Sequence, residues 1–214
     1  MSSTTLYRKY RPQRFADLLG QAHVAQTLRN EVERNQLGHA YLFSGSRGIG
    51  KTSSARILAK AVNCLHPKKG EPDNTCEACK SINENRALDV LEIDAASYTG
   101  VDNIRDVIEH SRFTPSALKY KVFIVDEVHM LSAAAFNALL KTLEEPPSHV
   151  LFILATTELH KVPETILSRC QRFDFHRLSD ADLGLRLRWI AQQEARTVDD
   201  EVIDAVIRVA DGSS

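Results

Sequence analysis

Tyr41-Leu42-Phe43-Ser44-Gly45-Ser46-Arg47-Gly48-Ile49-Gly50-Lys51-Thr52 is the stretch that decides how the rest of the chain is read. An apolar run ends in a glycine-rich turn, and Ile57, Leu58, Ala61 and Val62 then recur at helical spacing. The pattern G-x-x-x-x-G-K-[ST] thus stands between a strand and a helix, the setting it needs to cradle phosphate. Glycines let the backbone curl so that several N–H groups face one anion. The following helix N-terminus adds partial positive charge. Lys51 would reach the β- and γ-phosphates of a nucleotide, and the Thr52 hydroxyl would ligate Mg²⁺. Gly45, Ser46, Arg47, Gly48, Ile49, Gly50, Lys51, Thr52 and Ser53 are therefore candidate nucleotide-binding residues. A chance glycine-rich turn would not be expected to carry both the motif and its flanking elements.

Composition sets the outer limits. The chain has 214 residues, 43% hydrophobic and 26% charged, which fits an ordinary globular protein. Lys+Arg is 27 and Asp+Glu 28, a net charge of −1, so any nucleic-acid contact must come from a local patch. No apolar run approaches the length of a membrane span. Met1-Ser2-Ser3-Thr4-Thr5 leads into basic residues without an apolar core, unlike a secretory signal. The expectation is a cytoplasmic protein whose four cysteines are thiols or metal ligands rather than disulfides.

Downstream of the phosphate loop, Lys121-Val122-Phe123-Ile124-Val125 reads as a strand buried on both faces of a parallel sheet. It ends in Asp126-Glu127. Two carboxylates at a strand end, after a phosphate loop, complete a nucleotide-hydrolysing site: Asp126 would hold Mg²⁺ and Glu127 would act as general base towards the attacking water. Val150–Leu154 is the next buried strand, and a hydroxyl of Thr156 or Thr157 at its end would sense the γ-phosphate or orient the water. Asp89–Ile93 and Arg172–His176 alternate as strands.

Helices are expected between them. One opens after Gly20-Gln21 with Val24, Leu28 and Val32 as its stripe and stops at Gly38; another carries Val101, Ile104, Val107 and Ile108. Ser132 caps a helix bearing Phe136, Leu139, Leu140 and Leu143, stopped by Pro146-Pro147. Pro163 starts a short helix that Ser168-Arg169-Cys170 closes. Beyond Leu178 two helices follow, one with Leu183, Leu187 and Ile190, the other with Val202, Ile203, Val206 and Ile207 before Gly212. Strand–helix alternation up to residue 177 predicts an α/β fold, a five-stranded parallel sheet between helices, with a small helical part following over residues 178–214.

Two stretches stand apart. Residues 7–14, Tyr-Arg-Lys-Tyr-Arg-Pro-Gln-Arg, carry four basic residues and two tyrosines able to touch phosphates or bases; composition alone favours a solvated arm packed by its aromatics. Cys64 and Cys76-Glu77-Ala78-Cys79 bracket a Pro- and Gly-containing loop, so residues 64–79 form an insertion able to bind structural Zn²⁺. Either His66 or Asp73 would complete the tetrahedron.

Gly45–Thr52, Asp126-Glu127-Val128-His129, Ser168-Arg169-Cys170 and the run Phe136–Pro147 together resemble the AAA+ clamp-loader ATPases, and the resemblance covers essentially the whole chain. It implies an AAA+ P-loop NTPase that uses ATP and Mg²⁺. Thr157 would be the sensor of the γ-phosphate. Arg169 would be an arginine finger reaching the ATP of a neighbouring subunit. Adenine would pack near Tyr10, Arg11 and Pro12. The resemblance also implies partners: other clamp-loader subunits in a hetero-oligomeric ring, a sliding clamp and primer–template DNA, with no membrane. In that family four cysteines hold structural zinc; here Asp73 stands where the fourth is expected, so a Cys64-Asp73-Cys76-Cys79 site is the expectation. Relatives continue past the position of Ser214 with the rest of the lid and a collar domain, so the chain reads as a piece of a longer protein. No carboxylate set for nucleotide addition is evident, so polymerisation is not expected of this chain. A nucleotide-binding scaffold without turnover, and another AAA+ motor such as a branch-migration helicase, are the alternatives. Intact Lys51, Glu127 and Arg169 weigh against the first, the cysteine loop and Phe136–Pro147 against the second.

Overall fold

The computed structural model describes residues 5–97, 100–210 and 212–213, so Met1–Thr4 of the N-terminal reading and the final Ser214 lie outside the described residues. In chain order the elements are α1 (Leu6–Lys9), a 3₁₀ turn (Phe15–Asp17), α2 (Ala22–Arg34), β1 (Ala40–Ser44), α3 (Lys51–Asn63), α4 (Glu77–Asn83), β2 (Val90–Asp94) and α5 (Val101–Arg112). There follow β3 (Lys121–Asp126), a 3₁₀ turn (Val128–Met130), α6 (Ala133–Glu144), β4 (Val150–Thr156), a second such turn (Leu159–Lys161) and α7 (Glu164–Leu167). Last come β5 (Gln171–Asp174), α8 (Asp180–Gln193) and α9 (Asp200–Ala210).

The strands form one parallel sheet in the order β2-β3-β4-β1-β5. Because side chains alternate across a strand, the apolar runs of β1, β3 and β4 feed both faces. Tyr41, Phe43, Val122, Ile124, Leu151 and Ile153 pack with Val24 and Leu28 of α2 and Ile57 and Leu58 of α3. Leu42, Phe123, Val125, Phe152 and Leu154 pack on the opposite face with Ile104 of α5 and Phe136, Leu139 and Leu143 of α6. Each such side chain, fully buried, contributes about 1.5–3 kcal/mol. The order places β4 between β1 and β3, so the chain leaves the sheet at the carboxyl ends of three adjacent strands on one edge. Ligands of open α/β sheets bind in that crevice.

Most of the expected elements form, with shifted ends. α2 stops at Arg34, where Asn35 takes φ +51 as a left-handed cap, rather than at Gly38. Pro163 is the N-cap of α7, not its first residue. β2 begins at Val90 because Asp89 turns inward: its carboxylate accepts from the N–H groups of Ser116, Ala117 and Leu118 at 2.8, 2.8 and 3.0 Å. β5 is Gln171–Asp174, one residue earlier in start and two in end than the alternation suggests. Helix α4 was not foreseen: after Cys76 it buries Ala78, Cys79 and Ile82 on one side. Ser132 caps α6 as expected, accepting from Ala135 N at 3.2 Å, and Ser179 caps α8, accepting from Asp182 N at 3.1 Å. No helix among the described residues is long and apolar enough to cross a membrane.

Candidate nucleotide site

β1 releases the chain at Ser44, and the loop curls at once. Gly45 has φ +141, and a Cβ there would sit 2.6 Å from the Phe175 carbonyl oxygen, so only glycine fits. Gly50, at φ +101, is the N-cap of α3, whose first residue is Lys51. Lys51 is buried, and its Nζ donates to the carbonyls of Gly45 and Ser46, both at 2.7 Å. The ammonium therefore closes the curl from inside. Burial lowers its pKa, opposed by the carboxylates of Glu127 and Asp126.

β3 delivers the acids. Thr52 Oγ1 donates to Asp126 Oδ2 at 2.7 Å, while the Glu127 backbone N–H donates to Asp126 Oδ1 at 2.9 Å. Glu127 itself takes φ +48, a conformation that non-glycine residues adopt at a cost and that clusters at functional sites. Its Oε2 accepts from Thr157 Oγ1 at 2.8 Å and Thr157 N at 3.2 Å. His129 lies behind it, its side chain 5% exposed, with Nδ1 3.4 Å from Glu127 Oε2 and 3.0 Å from Thr156 Oγ1. His129 Nε2 is 3.2 Å from Glu158 Oε1. Sequence reasoning quoted His129 only within a motif and gave it no role; its place beside two carboxylates becomes visible only once β3 and β4 are adjacent.

The loop and the acids open on a cavity of about 860 Å³, within the size range of small-molecule sites. Arg47 and Ser53 line it, and so do Tyr10, Arg11 and Pro12, the expected adenine neighbours. Its far wall comes from α8, through Arg186, Leu187 and Ile190. Those α8 residues were missed as site residues because Leu187 and Ile190 read simply as an apolar stripe. The arm bearing Tyr10 is fastened to α8: Tyr10 Oη donates to Glu194 Oε1 at 2.6 Å, and Tyr10 and Trp189 meet edge-to-face with centroids 5.4 Å apart. The Arg186 guanidinium also donates to the Tyr10 carbonyl. The arm is thus docked, not merely solvated.

Arg169 is not brought to this cavity. Its Nη2 pairs with Glu144 Oε1 at 2.6 Å and its Nη1 donates to the Thr165 carbonyl at 2.8 Å, on the outer side of α7. The candidate zinc ligands do converge: one donor atom each of Cys64, Asp73, Cys76 and Cys79 lies within 4.8 Å of all the others, while His66 is not in the cluster. Cys64 and Cys76 sulfurs are 3.9 Å apart, close to the edge of a tetrahedron with bonds of about 2.3 Å. The donor set of thiols and one carboxylate suits zinc chemically, as the hydroxyl–carboxylate pair of Thr52 and Asp126 suits Mg²⁺.

A family model described as DNA polymerase III, delta subunit matches residues 20–179. The chain is 56% identical over 212 residues to DNA polymerase III subunit tau of Bacillus subtilis, covering 99% of this chain and 38% of that protein. It is 46% identical over 213 residues to the tau subunit of Escherichia coli, covering 100% of this chain and 33% of that protein. The chain thus spans about a third of the length of the curated relatives it matches, in their N-terminal part. Among solved structures, the RuvB Holliday junction branch migration motor of Thermotoga maritima superposes with a TM-score of 0.68 at 17% identity, over 95% of this chain and 61% of that one. A DNA polymerase III gamma subunit-related protein of the same organism gives 0.52 at 23%, over 86% and 57%. These two likenesses speak for the fold alone, a five-stranded parallel sheet with helices around it. The chain belongs to the DNA polymerase III family that the matching model describes, and its relatives there across the whole chain are tau and tau/gamma subunits.

Proposed function

We propose that this chain is the ATP-binding and ATP-hydrolysing part of a clamp-loader subunit, using ATP to open a sliding clamp and load it on primed DNA during replication. The observation that carries the proposal is the convergence of Lys51, Thr52, Asp126 and Glu127 on one cavity, with Thr52 and Asp126 in direct contact. Lys51 and the loop amides bind the phosphates, and Thr52 with Asp126 hold Mg²⁺, which when bound neutralises charge on the phosphoryl group. Glu127 takes a proton from the attacking water, and Thr157 links that base to the γ-phosphate side. Tyr10, Arg11 and Pro12 hold the base.

Arg169, directed away from its own cavity, serves a neighbouring subunit's site in a hetero-oligomeric ring, which engages the clamp and primer–template DNA. Residues 1–177 form the nucleotide-binding domain and 178–214 the beginning of a lid. Cys64, Asp73, Cys76 and Cys79 hold structural zinc, and the protein works in the cytoplasm. The test is ATP turnover by the full-length protein assembled with its partner subunits, with and without clamp and primed DNA. Stimulated turnover that collapses by roughly 10²–10⁴ in Glu127→Gln is the expected result. Tight nucleotide binding with no phosphate release under any of these conditions would instead favour a non-hydrolysing scaffold.

A further inference from the structure

The cysteine-bearing loop touches the nucleotide cavity nowhere, yet it holds the arm that does. Lys60, on the buried side of α3, is 2% exposed. Its Nζ donates to Gln13 O at 3.0 Å, Gln13 Oε1 at 2.7 Å and Asn74 Oδ1 at 2.7 Å. All three donors of the ammonium are thereby used on neutral oxygens of two separate segments. Gln13 passes the constraint on: its Nε2 donates to the Arg11 carbonyl at 3.1 Å. Arg11 and Pro12 line the cavity; Gln13 does not.

Glu71 makes a second attachment two residues further along the arm. Its Oε2 accepts from Phe15 N at 2.8 Å and its Oε1 from Ala16 N at 3.0 Å. Arg29 Nε of α2 is 3.4 Å from the same Oε1. Glu71 is held in turn by a reciprocal backbone pair with Lys68, at 3.0 Å in both directions. Gly70, φ +75, seats this turn against α2: a Cβ there would lie 2.1 Å from the Arg29 carbonyl oxygen. Asn74 sits between Asp73 and Cys76, so the thiol–carboxylate cluster and the arm share one loop.

We propose that the 64–76 loop buttresses the base end of the nucleotide cavity, with Gln13, Lys60 and Glu71 as positioning residues that fix Arg11 and Pro12. The proposal rests on the nucleotide-site reading above and adds to it the part of the site that discriminates a base. A charged amine spending every donor on one arm residue and one loop residue specifies position in a way an apolar side chain at Lys60 would not. A paired carboxylate anchoring two successive amides does the same for Phe15 and Ala16.

The test compares Mg–ATP with Mg–tripolyphosphate, which has no base, as ligands of the full-length protein and its Gln13→Ala, Glu71→Gln and Lys60→Met variants. Gln13 is exposed, so its variant keeps the test open even if Lys60→Met does not fold. The expected result is roughly tenfold weaker ATP binding in Gln13→Ala and Glu71→Gln, with tripolyphosphate binding unchanged. Unchanged ATP affinity in the folded variants, or equal losses for both ligands, would overturn the proposal. Lys51→Ala separates the two levels. If it weakens both ligands while Gln13→Ala weakens neither, the phosphate site stands and the buttress falls. If Lys51→Ala weakens neither, the site itself is misassigned.

Discussion

The Thr157 hydroxyl donates to Glu127 Oε2 at 2.8 Å, and the Thr157 amide donates to the same oxygen at 3.2 Å. The residue expected to sense the terminal phosphate is thus bonded directly to the residue expected to activate water. Two donors on one carboxylate oxygen fix its rotamer. Thr157→Val keeps the side-chain shape and removes one donor. Hydrogen bonds to charged groups are worth about 1.5–3 kcal/mol, so turnover should fall roughly 10- to 100-fold. Nucleotide affinity should stay within about twofold. Steady-state phosphate release and equilibrium nucleotide binding check both; full activity in Thr157→Val would detach the sensor from the base.

Arg169→Ala should separate a role between subunits from one within the chain. Arg169 bonds Glu144 and the Thr165 carbonyl, and its ion pair is partly exposed. Loss of such a pair costs about 0.2–1 kcal/mol of stability, so the melting temperature should change little. Nucleotide affinity should also hold. In the assembled ring, turnover should drop by roughly 10³–10⁵. Equal turnover by mutant and parent assemblies would remove Arg169 from the chemistry.

Much of this was legible because short-range chemistry and the fold agree. Residues 45–52 need glycine at φ values that other residues avoid, so the motif and the curl are one fact seen twice. The strands of β3 and β4 were equally plain, being apolar on both faces. What stayed hidden depends on pairings distant in sequence. Glu194 meets Lys9 and Tyr10 across 185 and 184 residues, and no local pattern announces that the basic arm lies on α8. Nothing in the local sequence marks Lys60; its burial follows from Gln13 and Asn74 arriving on the same side. Helix α4 was overlooked because its seven residues are too few to show a clear period. Asp89, read as the start of a strand, instead serves the turn at 116–118.

That aspartate supplies a pH prediction. Burial alone would raise the Asp89 pKa, but the N–H groups of Ser116, Ala117 and Leu118 and the Lys121 charge outweigh it and leave it lowered. Below the ordinary carboxylate range the unfolded chain then binds a proton that the folded chain does not, so stability rises with pH across that window. The contribution is complete above about pH 4 and is lost as pH falls through the folded value. Asp89→Asn should cost about 1–3 kcal/mol at neutral pH and flatten the acid limb of the stability curve. Denaturant unfolding at a series of pH values measures this; an unchanged acid limb would contradict the assignment.

Metal content tests the Cys64-Asp73-Cys76-Cys79 cluster. Protein purified without chelator should carry about one zinc per chain. Cys76→Ser should lose it, and Asp73→Asn should hold it more weakly, since a carboxylate is replaced by a poorer donor. Near-zero zinc in the parent protein would reject a structural metal at this loop.

The central claim is that the curl closed by Lys51 grips a triphosphate. It is tested most directly by the dissociation constant of Mg–ATP for the parent protein and for a folded Lys51→Ala variant. Removal of the buried ammonium should weaken binding by at least roughly tenfold, with no change in secondary structure. Equal affinities in the two proteins would contradict the account.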